Sequence, residues 1–109
     1  MKLHSLCSMV GLGLLAAMSM PALAQDGDPE AGKGKTAMCA GCHGIEGFRT
    51  AYPEVYSVPK IGGQQEAYIV NALKAYKAGD RSHPTMIAIA AGLSDQDIAD
   101  LAAYYAREE

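Results

Sequence analysis

Apolar positions recur at i, i+3, i+4 and i+7 through Ile98, Leu101, Ala102 and Tyr105, the spacing that lines one face of a helix. Ser94-Asp95-Gln96-Asp97 precedes them and resembles a capping box, in which a hydroxyl and a carboxylate satisfy the free backbone N–H groups of a helix start. A second helix is predicted from about Gln64 to Ala78, with Tyr68, Ala72, Ala75 and Tyr76 on one face, Ile69 and Leu73 beside them, and Gly79 as its stop. A third begins at Asp28-Pro29-Glu30, which supplies a capping carboxylate, a proline at the first helical position and a first-turn acid. It is expected to reach about Met38. Gly32 and Gly34 lie inside it, and each interior glycine costs a helix up to about 1 kcal/mol. Close contact with another helix is a reason to tolerate that cost. No stretch alternates like a strand between hairpin turns, so the pattern predicts an all-α domain.

Two irregular stretches separate these helices. Gly44 to Gly63 contains Pro53 and Pro59, and Gly79 to Gly92 contains Pro84. Loops this long in a small domain are usually functional, and wrapping a cofactor is one such function. Met86-Ile87-Ala88-Ile89-Ala90-Ala91 is apolar and expected to be helical only in part, packing on that cofactor or forming a smooth docking rim.

The N-terminus reads differently from the rest. Lys2 and His4, an apolar run from Met9 to Met20, and Pro21-Ala22-Leu23-Ala24 are the parts of a secretory signal peptide, with cleavage expected before Gln25. The apolar run is shorter than the roughly 20 residues of a spanning helix, so residues 1–24 are expected to be removed and the mature chain is not expected to insert in a membrane. Residues 25–109 then form one domain of 85 residues with eight basic and twelve acidic side chains, a net −4. Nucleic-acid binding, which needs a basic surface, does not fit that balance. The core is also thin: no Trp, one Phe (Phe48) and six Tyr. Domains of this size bury little apolar area and usually need a staple. A large, flat, apolar prosthetic group would serve.

Cys39-Ala40-Gly41-Cys42-His43 carries the chemistry. The C-x-x-C-H form signals covalent haem attachment: one helical turn sets both thiols on one side of the backbone, within reach of two vinyl groups along a porphyrin edge, and the next residue presents an imidazole to the iron. Ala40 and Gly41 are small enough for close approach. A thioredoxin-like redox pair needs flanking strands, which the pattern lacks. A structural zinc site needs four ligands, and adjacent Cys42 and His43 fit one tetrahedron poorly. A plain disulfide would leave the thin core unexplained.

Ala31-Gly32-Lys33, Cys39 to Gly44, Pro59 with Gly62-Gly63-Gln64, and Gly92 through Tyr105 together resemble a class I cytochrome c of the small bacterial c-553 kind, over Asp28 to Arg107. The resemblance implies helices and loops wrapped around one covalently bound haem c, with the N- and C-terminal helices crossing where Gly32 meets Tyr104 or Tyr105. It also implies a methionine as the second iron ligand. Of the two methionines after the leader, Met38 is tethered too close to Cys39, which leaves Met86; His83 is the rival, its other expected fate being an exposed loop histidine. Pro59 matches the residue whose carbonyl orients the ligating histidine, so the expected site is Cys39, Cys42, His43, Met86 and Pro59.

The loop Gly47–Val58 is more aromatic than in the family's shortest members. Its Tyr52, Tyr56 and Arg49 are candidates for haem propionate contacts, with plain packing of the tyrosines on the haem the favoured alternative. The function implied is that of a periplasmic, non-enzymatic carrier, monomeric or weakly oligomeric, passing single electrons between larger redox partner proteins. Two other roles remain open: an electron-entry subunit of a larger oxidoreductase, and a gas-binding protein or enzyme with an open iron site.

Overall fold

The computed structural model describes residues 25–52 and 54–108; the expected leader, residues 1–24, lies outside them. Five helices follow one another, α1 (Pro29–Lys33), α2 (Ala37–His43), α3 (Glu66–Ala78), α4 (Pro84–Ala91) and α5 (Asp95–Tyr105). Helix α5 packs against α1 and α3, and α3 packs against α4. The fold is helical, and β pairing among the described residues is limited to one isolated antiparallel bridge between Arg49 and Ser57.

Helix α5 forms for the reasons its sequence advertises. The Ser94 hydroxyl accepts from the Asp97 N–H at 3.0 Å, and the Asp97 carboxylate accepts from the Ser94 N–H at 2.9 Å, so two otherwise unpaired donors are satisfied. Its inner face is the core: Ile98, Leu101 and Ala102 are buried, with Ala99 and Ala103 beside them and Ala90 and Ile69 arriving from α4 and α3. Ile98 and Leu101 are the largest fully buried side chains, so the described core is built mostly of alanine.

The predicted first helix is in fact two. It starts as expected, with the Asp28 carboxylate accepting from the Glu30 N–H at 2.9 Å, but it breaks after Lys33. The Lys35 N–H turns back to the Gly32 carbonyl at 2.9 Å and the Thr36 hydroxyl donates to the Lys33 carbonyl at 3.0 Å. Two glycines weaken the helix there, and the turn frees Lys35 for α5. Its ammonium reaches Asp100 at 2.6 Å and Asp97 at 2.8 Å.

The crossing of α1 and α5 requires glycine. A Cβ on Gly32 would lie 2.0 Å from the Asp100 carbonyl oxygen and 2.9 Å from the Tyr104 Cβ. Of the two tyrosines anticipated at that contact, Tyr104 is the one that meets it. Asp100, at 3 % exposure, is the buried carboxylate beside the crossing. It accepts from the Asp28 N–H at 2.8 Å, the Lys35 ammonium at 2.6 Å and the Gln96 amide at 2.8 Å. Those donors, the Asp28 N–H first, hold its carboxyl at about 2, the behaviour of a charge that is buried because it is paired.

Helix α4 departs from the sequence expectation. Residues 84–91 are helical throughout rather than in part. Pro84 occupies the first turn, where its missing N–H costs nothing, and His83 serves as the cap. The turn that follows closes through the Leu93 N–H to the Ala90 carbonyl at 3.1 Å, and Lys77 of α3 donates to the Leu93 carbonyl. Only Gly79 to His83 remains irregular between α3 and α4, opening with Gly79 in the left-handed conformation at φ 82°, which suits a residue without a Cβ.

Candidate functional site

Helix α2 places Cys39 and Cys42 one turn apart and ends on His43. All three line a cavity of about 380 Å³. Helix α3 contributes Ile69 and Leu73, α4 contributes Met86 and Ile89, α5 contributes Leu101 and Tyr105, and the long loop contributes Tyr56, Val58, Pro59 and Ile61. Every helix after α1 therefore faces this space. The alanine-rich core is completed by whatever occupies it, since Ile69 and Leu73 of α3 and Met86 and Ile89 of α4 are turned to its walls.

The imidazole of His43 is oriented. Its Nδ1 lies 2.6 Å from the Pro59 carbonyl oxygen. A carbonyl can only accept, so Nδ1 carries the proton and Nε2 keeps its lone pair, the arrangement found where a histidine ligates a metal. The thiols of Cys39 and Cys42 are free and half-buried. Burial pushes the Cys39 thiol up, and a hydrogen bond with the Tyr105 hydroxyl acts in the opposite sense. Burial in turn is the main cause that raises Tyr105.

Met86, in the first turn of α4, is half-buried and reaches the same cavity as His43. Met38 is 68 % exposed, although it too lies at the cavity wall, next to Cys39. His83 is not the exposed loop histidine of the expectation. It is half-buried, caps α4 by accepting the Met86 N–H at Nδ1 (3.4 Å), and packs against Tyr56 with ring centroids 4.5 Å apart and planes inclined by 46°.

The aromatic loop divides between cavity and solvent. Tyr56 lines the cavity, and its hydroxyl donates to the Glu54 carboxylate at 2.6 Å. Tyr52 is 89 % exposed and lies outside the cavity wall, as does Arg49. The arginine at the wall is Arg81, whose guanidinium sits 4.8 Å above the Tyr76 ring. Nothing in the local sequence marked Arg81: it follows a glycine stop, and its N–H donates back to the Ala75 carbonyl at 3.2 Å.

The donor set discriminates among occupants. Among the described residues, no three His, Cys, Asp or Glu side chains converge as a site for a bare metal ion. Two thiols a turn apart, an oriented imidazole with a free Nε2, and a thioether on the walls of one apolar cavity suit instead an iron held inside a flat organic ring. The residues present fit a covalently bound haem.

The comparisons agree with that fit. The family model described as "Cytochrome c" matches residues 29–106. Cytochrome c-554(548) of Halomonas halodenitrificans is 42 % identical over 86 residues, covering 76 % of this chain and 99 % of its own length. Cytochrome c4 of Pseudomonas aeruginosa is 37 % identical over 99 residues, covering 90 % of this chain and 47 % of its own. The crystal structure of reduced recombinant cytochrome c4 from Pseudomonas stutzeri superposes with a TM-score of 0.62 at 38 % identity, over 76 % of this chain and 46 % of that one. The chain thus spans about half the length of the cytochromes c4 it matches. With a matching family model, a shared helical fold and a cavity whose residues fit the same cofactor, the chain belongs to the cytochrome c family, as a class I haem c protein.

Proposed function

We propose that this chain is a periplasmic single-electron carrier in which Cys39 and Cys42 would hold the haem through thioether bonds and His43 and Met86 would ligate its iron. The observation that carries the reading is the oriented His43 imidazole, with Nδ1 2.6 Å from the Pro59 carbonyl and Nε2 free, on the same cavity as the Met86 thioether. When bound, haem c supplies a one-electron Fe(II)/Fe(III) couple. The protein's own residues do the rest. Pro59 fixes the tautomer and tilt of His43. The side chains of Ile69, Leu73, Ile89 and Leu101 keep water from the site, and a thioether partner favours the reduced state, both of which raise the reduction potential. With His43 and Met86 both ligating the iron, no position would be left for a substrate, which suits a carrier rather than an enzyme.

The redox partners are larger proteins met at the cavity mouth, and export by the N-terminal leader places the chain with them in the periplasm. The test is the absorption spectrum of the exported protein, taken oxidised, reduced, and reduced under carbon monoxide. A low-spin haem c spectrum with the weak far-red band of a methionine–iron(III) bond, unchanged by carbon monoxide, is expected. A high-spin spectrum or rapid carbon monoxide binding would show an open iron site and replace the carrier with a gas binder or enzyme.

A further inference from the structure

We propose that His83 is the positioning residue of Met86, and that the aromatic loop exists in part to hold His83; this rests on Met86 being the iron's second ligand. Helix α4 is only eight residues long and begins with a proline. Pro84 has no N–H to be satisfied, and the His83 cap takes the otherwise unpaired N–H of the third residue. That residue is Met86 itself. The cap therefore pins the backbone of the residue whose thioether must stay at the cavity. In so short a helix, loss of the cap frays the first turn, and Met86 is in that turn.

His83 is in turn fixed from two sides. Tyr56 packs against it, tilted, with ring centroids 4.5 Å apart and is itself tied to the Glu54 carboxylate, and Tyr76 presents its ring edge-on at 6.5 Å with the Arg81 guanidinium on it. Accepting at Nδ1 places the ring proton on Nε2, so the imidazole acts here as an acceptor fixed by its neighbours. This assigns a use to the loop Gly47–Val58: its one aromatic residue on the cavity wall is the one that meets His83.

The experiment uses the ferric holoprotein and imidazole as a competing ligand. Imidazole binds only molecules in which the methionine bond has opened, so its apparent affinity reads the open population. His83→Ala is expected to raise that affinity roughly five-fold, the ratio that loss of a typical N-cap produces. His83→Asn, which restores a capping acceptor, is expected to return it to the parent value. Tyr56→Leu, which leaves the cap residue but removes its support, is expected to shift it in the same direction as His83→Ala, and it also serves if His83→Ala does not accumulate.

Unchanged affinity in His83→Ala, or in Tyr56→Leu, overturns the proposal. So does an equal rise in His83→Ala and His83→Asn, which would assign the effect to the ring and not to the cap. A parent lacking the far-red band marks failure of the Met86 reading instead, and the His83 role falls with it. If His83→Asn turns high-spin while Met86→Ala stays low-spin, His83 is the ligand and no positioning role remains.

Discussion

The helix crossing makes a sharp demand, and Gly32→Ala tests it. An added Cβ would stand 2.0 Å from the Asp100 carbonyl oxygen and 2.6 Å from its carbon, where ordinary contact begins near 3.4 Å. Both obstructing atoms are backbone, so neither can rotate away, and α1 must move off α5 by roughly 1.4 Å, the gap between those distances. That shift also stretches the Asp28 N–H and Lys35 bonds to Asp100, which are 2.8 and 2.6 Å long. Overpacking typically costs about 1–3 kcal/mol, and a rigid backbone clash belongs at the upper end. Against it stands the better helix propensity of alanine, worth up to about 1 kcal/mol. The expected net loss is about 2 kcal/mol, or a fall in Tm of roughly 10 °C for a domain of this size.

Gly34→Ala is the matched control. Gly34 has φ −70° and ψ −11°, and its Cβ would meet only the Ala31 oxygen at 3.5 Å. Alanine there is expected to stabilise by about 0.4–1 kcal/mol through the unfolded chain. Thermal melts of the two holoprotein variants, followed by circular dichroism, should move in opposite directions. If Gly32→Ala melts at or above the parent, propensity has outweighed the clash and the crossing is looser than the distances say.

Three further outcomes follow from the same structure. Leu101→Ala removes a side chain that is 1 % exposed and should cost about 3 kcal/mol by urea denaturation, a large share of the stability of a small domain. Asp97 and Asp100 are both held at about 2, against an ordinary value of 3.8. Their contribution is thus complete above pH 3.8 and disappears as pH falls toward 2, because the unfolded chain binds protons first. Urea titrations across that range should show the loss, and Asp100→Asn should be less stable at neutral pH with a shallower slope below pH 4. Lys35, raised above its usual 10.5 chiefly by its hydrogen bond to Asp100, contributes below that pH and loses its share only in stronger alkali. Finally, Tyr52→Ala, at a residue 89 % exposed, should leave the spectrum unchanged and the stability within about 0.5 kcal/mol.

How much could be read in advance depended on how local the cause was. Helix α5 was legible because its capping box and its apolar spacing lie within a dozen consecutive residues. The stop of α3 at Gly79 was legible for the same reason. Helix α4 was underestimated because Met86 to Ala91 is apolar on every side and shows no period, and because its cap is a histidine, outside the usual capping set. Pro84 is a start signal in the sequence, but the histidine before it reads by type and place as an exposed loop residue. The break between α1 and α2 was hidden: Gly32 and Gly34 hinted at weakness, but the turn is settled by Lys35 reaching carboxylates on α5, 65 residues along the chain for Asp100.

The site divides along the same line. The C-x-x-C-H spacing is itself the attachment geometry, so Cys39, Cys42 and His43 could be chosen without any fold. Met86 and Pro59 could be chosen only through family resemblance, and their geometry comes from packing: the His43–Pro59 bond spans 16 residues, and Met86 reaches the cavity because α4 is seated on α3. Sorting Tyr56 from Tyr52 needed the bridge between Arg49 and Ser57, and Arg81 gave no sequence signal at all.

The amino-acid sequence by itself determined the helical class, the haem motif and a core poor in large apolar side chains. Each of these depends on composition or on residues within a turn or two of one another. The tertiary structure decided where the first helix breaks, which carboxylate is buried, what caps α4 and which loop residues reach the cavity. These depend on contacts between distant segments, such as the 72 residues separating Asp28 from Asp100, and such contacts form only when packing several helices at once offsets the entropy of bringing remote parts of the chain together.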